Sequence, residues 1–96
     1  MNITFKELEI NDDEKVCYIN NKDIKLTKSE YYLLMFFLLN KDRVFTREEL
    51  IDNVWNKKIS NLAVSNKVSQ LRKKLGEYAK YLTTRLGFGY NFKSEV

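Results

Sequence analysis

Asn66 and Gln70 stand four residues apart in a segment that also carries Lys67, Arg72, Lys73 and Lys74. An amide side chain offers a donor and an acceptor side by side, the pattern that pairs bidentately with the N6/N7 edge of adenine. Cations around such amides can meet phosphates, which set position and sequence-independent affinity. Arg72 has a second chemistry open to it, because its fork also matches the edge of guanine. Ser65 and Ser69 can serve either phosphate or base, and Ala63 is small enough for close approach or for a thymine methyl. The same residue types also decorate ordinary amphipathic helices whose polar side faces water, so context must decide.

Charge distribution is part of that context. The net charge of +4 is modest, but residues 1 to 59 carry 10 Lys/Arg against 11 Asp/Glu, whereas residues 60 to 96 carry 7 against 2. Positive charge concentrated in one segment focuses a field on one surface and attracts a polyanion. The plainer alternative is a solubilising basic tail, which fits poorly with cations embedded in a periodic apolar pattern.

Other chemistry is scarce. The chain has no histidine and a single cysteine, Cys17, so it has neither an intrachain disulfide nor a clustered Cys/His metal site. No clustered carboxylate motif or phosphate-cradling glycine loop appears, so we expect no enzyme, no metal and no cofactor. The apolar run from Tyr31 to Leu39 is about half the length of a bilayer-spanning helix, and charges interrupt the first 16 residues. The expectation is a cytoplasmic domain, or the cytoplasmic part of an inner-membrane protein.

Several elements must position the amides and cations. Val64, Val68, Leu71 and Leu75 recur at spacings of four, three and four, predicting a helix over about 62–75 with that stripe inward. Ser60 or Asn61 can cap it and Gly76 can end it in a left-handed conformation. Its outer face then presents Ala63, Asn66, Lys67, Gln70, Lys73 and Lys74, with Ser65, Ser69 and Arg72 on the flanks. Upstream, Thr46 and Glu49 have the spacing of a capping box and predict a helix from Arg47 to about Trp55, burying Leu50, Ile51 and Val54. Trp55 ends it, either as a packing residue or with its indole N–H directed at a phosphate. The polar connection Asn56 to Ser60 joins the two helices.

Thr27 and Glu30 repeat the box and predict a first helix from Lys28 to about Leu39, with a stripe of Tyr31, Leu34, Met35 and Leu38. Tyr32, Leu33, Phe36 and Phe37 make it apolar almost all round, which calls for a central position; an exposed dimerisation stripe is the alternative. Before it, Ile3 to Ile10, Val16 to Ile19 and Ile24 to Leu26 read as three or four short antiparallel strands separated by Asn/Asp-rich turns. After the basic helix, Tyr81 to Thr84 and Phe88 to Phe92 read as a hairpin with Gly87 and Gly89 at its reversal. Arg85 and Leu86 lie near the tip. An arginine there can enter a narrow minor groove, and Thr83 or Thr84 can donate to a phosphate from the stem.

The chain resembles the winged-helix domain shared by OmpR/PhoB-type response regulators and ToxR/CadC-like membrane-tethered regulators. The resemblance begins at Leu26-Thr27-Lys28-Ser29-Glu30-Tyr31-Tyr32-Leu33-Leu34 and continues through Val44 to Trp55, where the family shows V-x-S/T-R-x-x-L and then V/L-W. It takes in Val64 to Leu75, which is similar to the family's recognition helix ending in L-R-x-K-L. Gly87-Phe88-Gly89-Tyr90-Asn91-Phe92 matches the wing's G-x-G-Y-x-F.

The resemblance implies an α+β winged helix-turn-helix over residues 1–96. Its parts would be an N-terminal four-stranded antiparallel sheet (1–26), a three-helix unit (28–75) and a C-terminal β-hairpin wing (81–92). The function implied is transcription regulation through double-stranded promoter DNA, with a second copy on tandem half-sites and RNA polymerase as further partners. It directs Asn66 and Gln70 toward bases, with Lys67, Ser69 and Arg72 around them, and Trp55 toward the backbone; the residue types themselves add Ala63 and Lys67 to the base-facing set and Ser65, Ser69, Arg72, Lys73, Lys74, Thr83 and Thr84 to the phosphate-facing set. The short Asn56 to Ser60 connection weakens the polymerase contact. The arginine common immediately before the first wing glycine is absent: Leu86 occupies that place and Arg85 precedes it. Neighbours in a hairpin point to opposite faces, so a minor-groove role for Arg85 requires an altered tip.

The family's two branches also stay open. A start at Met1 and the stretch Glu49 to Trp55 lean toward the membrane-tethered branch, and Gly-Phe-Gly-Tyr in the wing toward the response regulators. A winged-helix domain that binds proteins and does not read DNA is the competing function.

Overall fold

The computed structural model describes all residues from Met1 to Val96. Four short strands come first: β1 (Asn2–Phe5), β2 (Leu8–Asn11), β3 (Val16–Ile19) and β4 (Lys22–Asp23). They form one antiparallel sheet in sequential order. Its register pairs Phe5 with Leu8 and Ile10 with Cys17, which puts these four apolar side chains on the covered face. The strand expected at Ile24 to Leu26 is not formed. Pairing shifts two residues earlier because Asn20 and Asn21, both at positive φ, close a two-residue turn between Ile19 and Lys22. Lys25 then adopts positive φ and leads the chain off the sheet.

Helix α1 (Lys28–Leu39) starts on the Thr27–Glu30 box. It is central, as its all-round apolarity requires: Leu33, Leu34 and Phe37 are fully buried, and Met35 of the expected stripe is only half-buried. Helix α2 (Arg47–Leu50) starts on the Thr46–Glu49 box and runs on as a π-helical turn, Ile51–Trp55. The wider turn ends at Asn56, whose left-handed backbone lets its N–H reach the Ile51 carbonyl. Helix α3 (Asn61–Leu75) begins one residue earlier than expected, with Ser60 as cap accepting from the Ala63 N–H at 3.1 Å.

Gly76 ends α3 at positive φ, but its ψ of −122° departs from the left-handed region expected for it, and a 3₁₀ turn (Gly76–Tyr81) follows directly. Strands β5 (Leu82–Arg85) and β6 (Gly89–Phe92) make the hairpin, each displaced by one residue from the expected start. Phe45 adds a bridge to this hairpin, exchanging two backbone bonds with Tyr90 at 2.8 and 2.9 Å.

One core joins these parts. Phe5 meets Tyr81 and Phe92 edge-on, with ring centroids 4.9 and 5.2 Å apart, so the N-terminal sheet is fastened to the hairpin's base. Each such fully buried large side chain contributes about 1.5 to 3 kcal/mol through removal of apolar surface from water. Cys17 lies in this core, where burial pushes its thiol up to about 12 and leaves it unreactive. No helix is long and apolar enough to cross a membrane.

Candidate nucleic-acid interface

Helix α3 sorts its polar residues by what they touch. Val64, Val68, Leu71 and Leu75 are buried against α1 and α2, as their spacing required. Directly opposite, Leu62, Asn66, Ser69, Gln70 and Lys73 are exposed. The four polar members of this face extend into solvent without a partner inside the protein. Ala63 and Lys67 sit half-buried on one flank, a less open position than a base-facing role supposes.

Two cations expected at phosphates are committed elsewhere. Lys74 turns toward the start of α1, where its ammonium donates to Glu30 Oε1 and to the Lys25 carbonyl, each at 2.7 Å. Glu30 is 2% exposed. Its burial raises the carboxyl pKa, but bonds from the Lys74 ammonium and from the Thr27 amide and hydroxyl outweigh this and hold it below the ordinary carboxylate value. Arg72 turns the other way: its Nε donates to the Leu82 carbonyl at 2.9 Å and its Nη2 to Thr84 Oγ1 at 2.8 Å, with the guanidinium 5.7 Å from the Tyr90 ring. Both residues lie at the edges of the helix, where the outward face gives way to neighbouring elements, and a helical wheel alone places them outside.

The remaining candidate residues divide similarly. The Trp55 indole donates to Ser29 Oγ at 3.3 Å and the half-buried ring packs against the core, the arrangement of the packing alternative. Thr83 bonds to the buried Asn91 across the hairpin and is unavailable as a free donor. Thr84 is exposed and accepts from Arg72. Ser65 accepts from Tyr90 Oη at 3.1 Å and from Arg47 Nη1 at 3.3 Å, which joins α3, the hairpin and the first turn of α2.

Arg47 and Tyr90 were missed as site residues. Both lie inside recognisable motif segments, but periodicity assigns them no face, and they are brought together by the Phe45–Tyr90 bridge and the shared Ser65 hydroxyl. A groove of about 370 Å³ runs between the first turn of α2 and the hairpin tip, with Arg47 on one wall and Arg85 on the other. The tip turn closes by a bond from the Phe88 N–H to the Arg85 carbonyl at 2.9 Å. Arg85, Leu86 and Phe88 are exposed there, Leu86 to 89%. Gly89 sits where the hairpin crosses the chain before α2: a Cβ there would lie 2.0 Å from the Phe45 carbonyl oxygen, so no larger residue fits.

A small antiparallel sheet, three helices with the third presenting an open polar face, and a hairpin pinned beside that helix define a winged helix-turn-helix domain. Residues 21–92 match the family described as transcriptional regulatory protein, C terminal. The chain belongs to that family, whose winged helix is of the OmpR/PhoB type.

Among curated relatives it is similar to the transcriptional regulatory protein QseB of Haemophilus influenzae. The two are 35% identical over 85 residues, covering 86% of this chain and 38% of QseB. SrrA of Staphylococcus aureus is also 35% identical, covering 95% of this chain and 40% of SrrA. The chain thus spans about two fifths of the length of these relatives. Among solved structures it is similar to the DNA-binding domain of the response regulator AdeR in complex with an intercistronic region, with TM-score 0.85, 34% identity, and coverage of 94% of this chain and 97% of that one.

Proposed function

We propose that residues 1–96 act as one DNA-reading unit of a transcription regulator, with α3 in the major groove and the hairpin serving as a wing beside the minor groove. The observation that carries this reading is the open face of α3. Asn66 and Gln70 project their amides from it without an internal partner, and Ser69 and Lys73 flank them, whereas Asn61, Ser65, Arg72 and Lys74 are tied to neighbouring elements. Unpaired amides on a rigid helix suit base edges, and a free ammonium beside them suits a phosphate. Arg47 and Arg85 extend the cationic surface across the groove toward the wing tip. The similarity to AdeR, solved in complex with an intercistronic region, supports the same reading. A reader of promoters shares a compartment with them, and this supports a cytoplasmic location for the domain. A neighbouring copy on tandem half-sites and RNA polymerase are the further partners this function admits.

Duplex binding measured across salt concentrations tests the proposal. Lys73→Ala should weaken binding to all sequences alike and reduce the salt slope by about 1. Asn66→Ala and Gln70→Ala should each cost about 1 to 3 kcal/mol on the preferred duplex and relax preference at one base pair. Absence of salt-dependent binding by the wild-type chain would sink the reading in favour of a protein-interaction domain. Arg72→Ala is a poor probe, because it also removes two of the bonds that hold the wing.

A further inference from the structure

We propose that the wing tip is an apolar wedge: Leu86 and Phe88 press into the minor groove of the duplex and bend it toward the major groove. This rests on the DNA-reading function proposed above and specifies how the wing takes part in it. Isolated apolar residues on a surface are ordinary. Three features make this pair different.

The first is their placement. Leu86 is 89% exposed and Phe88 64% exposed, and they flank Gly87 at the extreme of the hairpin.

The second is the stiffness of the stem. Arg72 ties β5 to α3 through two hydrogen bonds, Phe45 and Tyr90 exchange two more, and the backbone of Gly89 is packed against the Phe45 carbonyl. A tip held this firmly loses little freedom on docking, so apolar contacts made there are retained as affinity.

The third is charge. The Arg85 guanidinium lies 5.9 Å from the Phe88 ring, and Arg47 faces the tip across the groove. The one acidic side chain lining that groove, Glu48, accepts a bond from Asn61 at 3.0 Å. An apolar point flanked by arginines complements a narrow groove of negative potential bordered by sugars. Apolar side chains in that setting bind between base steps and kink the duplex by about 20 to 90°.

The test uses the 96-residue chain and a short duplex enriched from a random pool by the wild-type protein. The duplex carries a donor and acceptor dye at its ends to report bending. It also carries 2-aminopurine at the step facing the wing to report unstacking. The variants are the double substitution Leu86→Ser with Phe88→Ser, and Leu86→Arg. Both positions are exposed, so unchanged melting curves confirm that the fold is retained.

Wild type should bend the duplex and raise 2-aminopurine emission. The double variant should lose both signals and bind about five- to twentyfold more weakly, keeping its base preference under α3. Leu86→Arg should retain affinity and lose the bend. Equal bending by wild type and double variant, or binding by wild type with no bend at all, overturns the wedge and leaves DNA reading intact. Failure of the wild-type chain to enrich any duplex overturns both.

Discussion

The chain uses one four-residue device twice, and the two copies end in different surroundings. At the start of α1, Thr27 N–H donates to Glu30 Oε1 at 2.8 Å and Glu30 N–H to Thr27 Oγ1 at 3.3 Å. At the start of α2, the bonds between Thr46 and Glu49 are 2.9 and 3.0 Å. Local geometry is nearly the same. Yet Glu30 is buried and receives Lys74 of α3 at 2.7 Å, whereas the Glu49 side chain is 43% exposed and meets Arg43 at 3.8 Å. The first box therefore anchors the far end of α3, and the second starts the short, more exposed helix α2. A capping box read from sequence fixes where a helix begins; its energetic weight is set by the element that arrives from elsewhere.

Four substitutions probe that contrast. The largest effect is expected for Glu30→Ala, which frees the Thr27 N–H and strips Lys74 of its partner; a loss of about 2 to 3 kcal/mol in urea unfolding is anticipated. An equal loss from Glu49→Ala would break the distinction between the two boxes.

Lys74→Met comes next, at about 1 to 2 kcal/mol near neutral pH. Because the carboxyl of Glu30 titrates below its ordinary value in the folded chain, its contribution is present above the unfolded pKa and is lost as pH falls through the folded one. The gap between wild type and Lys74→Met should therefore narrow as pH falls through the ordinary carboxylate value and below it. A gap that is constant with pH would mean that the ion pair adds nothing to the box.

Smaller still is Glu49→Ala, about 0.5 to 1 kcal/mol by thermal unfolding, the usual value of an exposed cap. Last is Arg43→Ala, below about 1 kcal/mol, since its carboxylate contact is long and wet and the remainder is stacking on Phe45. Double-mutant cycles should separate the pairs, with coupling of about 1 kcal/mol or more for Glu30 with Lys74 and about 0.3 kcal/mol or less for Arg43 with Glu49.

The same division governs what could be read from the chain beforehand. Both boxes, the inward stripe of α3 and the glycines of the wing were legible because each depends on residues a few positions apart. The directions taken by Arg72, Lys74 and Trp55 were not. Arg72 finds Leu82 and Thr84, Lys74 finds Glu30, and Trp55 finds Ser29, all on other elements. A helical wheel distinguishes inside from outside and is silent about the flanks, where these partners wait. The strand at Ile24 to Leu26 failed for a related reason: its apolar residues signalled burial, and the preceding Asn20-Asn21 turn had already used the available register.

Gly89 has a consequence for how this domain changes over generations. With its backbone seated against Phe45, any side chain added there collides with main chain that has no room to withdraw. The hairpin cannot be re-aimed by small steps at its root, because intermediates would undock before they gained a new preference. Diversification is channelled to positions that protrude past the pivot, such as Leu86 and Phe88, and to the open face of α3. Related domains with different target preferences should therefore vary at the tip and keep the crossing glycine, and sequencing of variants selected for a new operator would reveal that channel directly.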